Sequence, residues 1–176
     1  EPLTDLSQIF IALDGKVKIA GPSGQRVIAV EELFLDFYTT SLTEDEILTQ
    51  VILPPLPPRS AIDYIRFSSS SVVDKPCAGV AVRLTLESGA ETIQIARIVL
   101  GCVGATPVRA RKAEVLLMGK KLTPELAQEA GSIASQECSP TSDLRGSALY
   151  KRAIVRTLVK RAAGKAYERA LTLPSP

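Results

Sequence analysis

The segment AGVAVRLTLESGAETIQIARIVLGCV (Ala78–Val103) reads as two long strands joined by a turn. Val80, Val82, Leu84 and Leu86 alternate with Ala81, Arg83 and Thr85, the period-two pattern of a sheet with one buried face. LESGAET supplies the turn, so strands over Ala78–Glu87 and Thr92–Val103 are expected to form an antiparallel hairpin. A third strand is predicted just upstream, over Ala61–Phe67. Downstream the periodicity becomes helical. Val108–Met118 is rich in Ala and Leu and stops at Gly119, a natural helix end. Thr123 is a predicted N-cap, with Pro124 at the first helical position and Glu125 in the first turn of a helix reaching about Glu137. The last helix, about Ser147–Ala170, carries Leu149, Ala153, Ile154, Leu158, Ala162 and Ala166 on one stripe. Three strands followed by three helices predict an α+β fold with a small antiparallel sheet.

Upstream of these strands lies PPLPPRS, with four prolines between Pro54 and Pro58. Proline removes backbone donors and forces extended geometry, so neither a helix nor a central strand runs through it. The expected division is a first unit over residues 1–53, a linker over 54–60 and a second unit over 61–173. In the first unit Asp5–Leu13 reads as a short helix, with Leu6, Ile9, Phe10 and Leu13 at helical spacing and Thr4 or Asp5 as N-cap. KVKIA (Lys16–Ala20) and RVIAV (Arg26–Val30) form a hairpin across GPSGQ. EELFLDF (Glu31–Phe37) is a brief helical or irregular crossing, and EILTQVILP (Glu46–Pro54) a strand with two partly covered faces.

Composition excludes several functions. The chain has no histidine, which removes Ser-His-Asp and Cys-His catalysis and histidine metal sites. Cys77, Cys102 and Cys138 are scattered without C-x-x-C spacing, so no metal site and no disulfide framework is expected, only reduced and mostly buried thiols. A net charge of +2 and the absence of Trp argue against nucleic-acid binding. No signal peptide or membrane-length apolar run is visible, so the expected location is cytoplasmic.

Few motifs carry chemistry by themselves. GPSG (Gly21–Gly24) and GKKL (Gly119–Leu122) match no phosphate-binding loop and read as a turn and a helix stop. GCVGATP (Gly101–Pro107) is small enough for close backbone approach, although a plain strand-to-helix loop is the better explanation. SSSSVVDKP (Ser68–Pro76) is open to two readings, a connection or a ligand-facing loop with Asp74 and Lys75 as its charges. The basic C-terminal helix reads as a solvated face, with partner docking as the alternative. No acid–base pair or activated nucleophile is visible, and no catalytic residue is assigned.

DKPCAGVAVRL (Asp74–Leu84), ARIVLGCVGATPVRARKAEVLLMGK (Ala96–Lys120) and SDLRGSALYKRAIVRTLVKRA (Ser142–Ala162) resemble the medium, FAD-binding subunit of the molybdenum hydroxylases, the family of xanthine dehydrogenase and aerobic carbon monoxide dehydrogenase. TDL near the start and EIL before Pro54 extend the resemblance over nearly the whole chain. It implies that residues 1–53 are the end of a flavin-binding subdomain and 61–173 the flavoprotein C-terminal domain. It further implies cofactor contacts by Asp5, Ile47, Leu48, Arg66 and Asp74. FAD is expected to bind only with a preceding half that carries two Gly-rich pyrophosphate loops. Partner subunits would hold the molybdenum cofactor and 2Fe-2S clusters, with FAD relaying electrons to an external acceptor and this chain inactive alone. The competing expectation is a non-enzymatic subunit-interaction module that keeps the fold without flavin.

Overall fold

A computed structural model describes residues 4–68 and 75–174. In chain order, helix α1 (Asp5–Ala12) precedes a hairpin of β1 (Lys16–Gly21) and β2 (Gly24–Ala29). A single turn, α2 (Val30–Leu33), leads into the small pair β3 (Phe34–Asp36) and β4 (Thr39–Thr40), and β5 (Ile47–Ile52) follows. Beyond the prolines come β6 (Ser60–Phe67), β7 (Ala78–Leu86), β8 (Ile93–Gly101) and the two-residue β9 (Val108–Arg109). Three helices complete the chain: α3 (Arg111–Leu117), α4 (Pro124–Glu137) and α5 (Ala148–Thr172). The expected α+β class holds. The larger sheet runs β6-β7-β8-β9 and the smaller β2-β1-β5, both antiparallel throughout.

β7 and β8 form the predicted hairpin, but the expectation of one buried face fails: all nine residues of β7 are buried. Val80, Val82, Leu84 and Leu86 join Ile98, Leu100, Leu117, Val159 and Ala162 beneath α3, α4 and α5. On the opposite face Ala81 and Val99 join Ile11, Val17 and Ile19 from the first unit. Each fully buried Leu, Ile or Val contributes on the order of 1.5–3 kcal/mol. The helix-covered layer therefore supplies most of the stability, and α1 with the β1 sheet adds a smaller second cover.

The face of α1 turned to the sheet is not the predicted apolar one. Ser7, Gln8, Ile11 and Ala12 are buried, while Leu6 is exposed. The reason lies in the sheet, where Gly79 and Gly101 are direct cross-strand partners. A Cβ on Gly101 would fall 1.7 Å from Gln8 Nε2, and one on Gly79 would fall 2.4 Å from Gln8 Oε1. Two missing side chains thus make a slot that the Gln8 carboxamide fills. Its Nε2 and the Ser7 hydroxyl both donate back to the Thr4 carbonyl.

The end of α1 is closed by a Schellman motif, with Asp14 N–H on the Ile11 carbonyl and Gly15 N–H on the Phe10 carbonyl. Asp14 occupies the left-handed position at φ 53°, where glycine is the usual residue. Its carboxylate explains the choice. Oδ2 accepts from Arg83 Nη2 at 2.5 Å and Oδ1 from Arg97 Nε at 2.8 Å, tying the first unit to β7 and β8. Burial works against the Asp14 charge, yet the hydrogen bonds from Arg97 and Arg83 outweigh it and hold the carboxyl below its usual pKa.

Other elements depart from the sequence reading in detail. The predicted helix over Val108–Met118 begins only at Arg111, because Val108 and Arg109 extend the sheet against Leu100 and Val99. Glu114 accepts from the Ile98 N–H and from Arg109, which stabilises this early strand. The buried stripe of α5 is Val155, Leu158, Val159, Ala162, Ala163, Ala166 and Tyr167, whereas Leu149 is 80% exposed and Ala153 is also exposed. β5 is an edge strand with a bulge at Thr49, so only Leu48 and Ile52 are partly covered. Thr123 caps α4 as expected, accepting from Leu126 N–H at 3.1 Å.

Gly101→Ala is expected to destabilise the chain by about 1–3 kcal/mol through overpacking against Gln8. Adding Gln8→Ala should recover most of that loss in urea denaturation, and an additive double variant would contradict the slot. Asp14→Asn should cost roughly 1–3 kcal/mol at neutral pH by stranding the buried Arg83 guanidinium. Because the folded pKa of Asp14 lies below its unfolded value, its contribution is complete above the ordinary carboxylate range. It is lost as pH falls through the depressed value, so the Asn variant should show a shallower acid limb in the pH dependence of its urea midpoint.

Candidate functional site

One end of the larger sheet gathers charged side chains from distant parts of the chain. Tyr64 and Arg66 lie two apart on β6 and therefore share a face, and both reach Asp5 in the first turn of α1. Tyr64 Oη donates to Asp5 Oδ1 at 2.6 Å, and Arg66 Nε lies 3.2 Å from Asp5 Oδ2. Arg66 Nη1 also donates to the Ser68 hydroxyl at 2.7 Å. Burial, then the hydrogen bond to Asp5, pushes the Tyr64 phenol far above its ordinary pKa, so it stays a donor across the physiological range.

Cys102 sits beside this trio, just past β8, at φ 62°. Burial and the Asp5 carboxylate push its thiol up to about 11, against the opposing pull of Lys75, Arg145 and Lys151. The thiol is therefore neutral and a poor nucleophile at neutral pH. All three cysteines are free. Lys75 donates to Tyr38 Oη at 2.8 Å with its ammonium 5.2 Å from that ring centroid, and its carbonyl accepts from Arg145 Nε at 3.1 Å. Lys151, buried, bridges Asp143 and the Thr141 carbonyl. Four cations (Arg66, Lys75, Arg145, Lys151) against two carboxylates (Asp5, Asp143) leave a local excess of two positive charges among these groups. Such a field suits an anionic or electron-rich ligand.

The structure brings Asp5 and Arg66 into contact. Leu48 joins the same apolar cluster as Tyr64, while neighbouring Ile47 is 65% exposed. Just before them, the Glu46 carboxylate receives a two-pronged Arg26 guanidinium at 2.7 and 2.8 Å. The Arg26 hydrogen bonds, with the Thr43 N–H, pull the Glu46 carboxyl down to about 2. Asp74 lies outside the described residues. Sequence reasoning missed Tyr64, Tyr38 and Arg145. Tyr64 was findable, since a residue two before Arg66 on a strand must share its face. Tyr38 was not, because its partner Lys75 is 37 residues away.

Comparison with known proteins assigns the family. A family model described as the CO dehydrogenase flavoprotein C-terminal domain matches residues 64–166, and one for the FAD binding domain in molybdopterin dehydrogenase matches residues 1–56. The chain belongs to the FAD-binding medium subunits of the molybdenum hydroxylases. The carbon monoxide dehydrogenase medium chain of Hydrogenophaga pseudoflava is 32% identical over 96% of this chain and 58% of its own length. The nicotine 6-hydroxylase medium subunit of Paenarthrobacter nicotinovorans is 37% identical over 87% of this chain and 52% of its own. A solved carbon monoxide dehydrogenase from Hydrogenophaga pseudoflava, lacking the Mo-pyranopterin moiety, superposes with a TM-score of 0.91 at 33% identity, covering 96% of this chain and 58% of that one.

The chain thus spans little more than half the length of these relatives. Among the described residues, no group of three or more His, Cys, Asp or Glu is placed to hold a metal ion. No helix among them is long and apolar enough to cross a membrane.

Cys102 is expected to resist iodoacetamide at pH 8 and to react appreciably only as pH approaches its thiol pKa of about 11. Asp5→Asn removes a negative charge that raises that pKa, so alkylation mapped by mass spectrometry should begin at lower pH. An unchanged profile would show that Asp5 exerts no field on the thiol.

Proposed function

We propose that this chain forms the ring-side wall of an FAD site in the flavoprotein subunit of a molybdenum hydroxylase. The carrying observation is the contact of Asp5 with Tyr64 and Arg66, which joins the two family-matched segments at one polar cluster. The residues fit part of such a coenzyme. Exposed Ile47, beside half-buried Leu48, offers an apolar surface for a flat ring. Arg66 and Lys75 supply cations, and Asp5 can accept from hydroxyl groups. The motifs GPSG and GKKL match no phosphate-binding loop, and we assign the diphosphate to the Gly-rich loops of the preceding family region.

Bound FAD would supply reversible electron transfer, while the protein supplies position and field. Arg66 and Lys75 would favour negative charge on the ring side. Tyr64, kept protonated, holds the Asp5 carboxylate in one orientation. Partner subunits carrying 2Fe-2S clusters and a molybdenum cofactor would deliver the electrons, and an external acceptor would remove them. The proposed organisation is a flavin-side unit over 1–53, a proline linker over 54–60 and the flavoprotein C-terminal domain over 61–173.

Each charge-assisted hydrogen bond to the diphosphate that is missing, about 1.5–3 kcal/mol, weakens binding by roughly 10–10²-fold. Calorimetric titration of the isolated chain with FAD should therefore show only weak binding or none. Fusing it to the part of the Hydrogenophaga pseudoflava medium chain that it does not cover should give a yellow protein. Arg66→Ala in that fusion should weaken flavin retention about tenfold. A folded but colourless fusion would overturn the flavin reading, and stoichiometric flavin on the isolated chain would overturn the division of the cradle.

A further inference from the structure

α5 carries seven cations and one carboxylate, Glu168. Four of the cations are used within the chain: Lys151 on Asp143, Arg152 on the Cys138 carbonyl, Lys160 on Gln128 and Arg169 on Asp63. Arg156, Arg161 and Lys165 have no partner among the described residues. The helix dipole does not account for them. It favours cations in the last turn only, and Arg156 and Arg161 lie well before it. Arg156 with Lys160, and Arg161 with Lys165, are like-charged pairs at i,i+4, which work against the helix. These cations line an open groove of about 580 Å³ along α5, together with Lys160, Gly164 and Glu168, to which α4 contributes Gln128 alone.

Gly164 is an independent observation. Glycine inside a helix is unfavourable, and a tight internal contact normally explains it. Gly131 has such a contact, since a Cβ there would lie 2.4 Å from the Arg156 carbonyl where α4 meets α5. At Gly164 a Cβ would meet nothing within 4 Å. Nothing in the described chain uses the missing side chain, while an incoming backbone could.

We propose that this groove docks an acidic helix of a partner polypeptide, whose backbone closes on Gly164 and whose carboxylates meet Arg156, Arg161 and Lys165. A polypeptide fits better than nucleic acid. A phosphate chain carries charge at every step and cannot avoid Glu168, whereas a helix can set an uncharged residue against it, and the groove lining has no aromatic ring for stacking. A second copy fits less well, because its exposed acidic face, Glu125 and Glu129 of α4, offers two carboxylates one turn apart against three cations of α5. This inference is independent of the flavin reading, and its test requires no flavin.

The probe is a labelled synthetic helix of about 18 residues, five turns, with Glu along one face and Ala at its centre. Its binding to the full chain is read by fluorescence anisotropy, alongside an unstructured poly-Glu peptide and a single-stranded DNA of equal charge. The helix is expected to bind best, and Arg156→Glu with Arg161→Glu to weaken it at least about tenfold. Gly164→Leu separates docking from folding: it should raise the melting temperature, by improving helix propensity, yet weaken the acidic helix while sparing poly-Glu. Failure of the helix to bind, tighter binding of the DNA, or an unaffected Gly164→Leu variant would each overturn the proposal. So would a self-association, seen by sedimentation, that the charge reversals abolish.

Discussion

A strand buried on both faces has to be covered twice, and this chain covers β7 from opposite ends of its sequence. The helices α3–α5 take one side, and α1 with the first sheet takes the other. That requirement fixes much else. It calls for glycine at positions 79 and 101, so that α1 can lie close, and it places Arg83 where the Asp14 carboxylate at the end of α1 neutralises it. Accepting a left-handed aspartate at Asp14 is the cost of that neutralisation.

The same closure creates the polar end of the sheet. Once α1 is seated over Gly79 and Gly101, its first turn brings Asp5 against the face of β6 that carries Tyr64 and Arg66. The site thus depends on a packing contact rather than on a contiguous motif. Its charges are arranged with little freedom, because Tyr64 and Arg66 occupy both oxygens of one carboxylate.

Much of the fold was legible because it is local. Thr123 and Pro124 announce α4, and the alternation in Ala78–Val103 announces the central hairpin. The family membership was legible from ordered motifs. What could not be read was which faces are covered. Arg83 and Thr85 looked like solvent-facing residues by alternation, since their partners lie in a different part of the chain. The buried face of α1 escapes hydropathy for a related reason: a slot between two glycines accepts an amide. Edge strand β9 was hidden by helix-forming residues, its pairing being set by Val99 and Leu100 and by the reach of Glu114.

The connection between the units carries a mechanical implication. Residues Leu53–Pro58 are exposed and free of regular structure, whereas the two sides they join share a buried cluster and the Asp14 clamp. Covalent continuity there is nearly redundant with non-covalent cohesion. A protease that nicks this segment would leave the two pieces clasped together, migrating as one particle until a denaturant pulls α1 off the glycine pair.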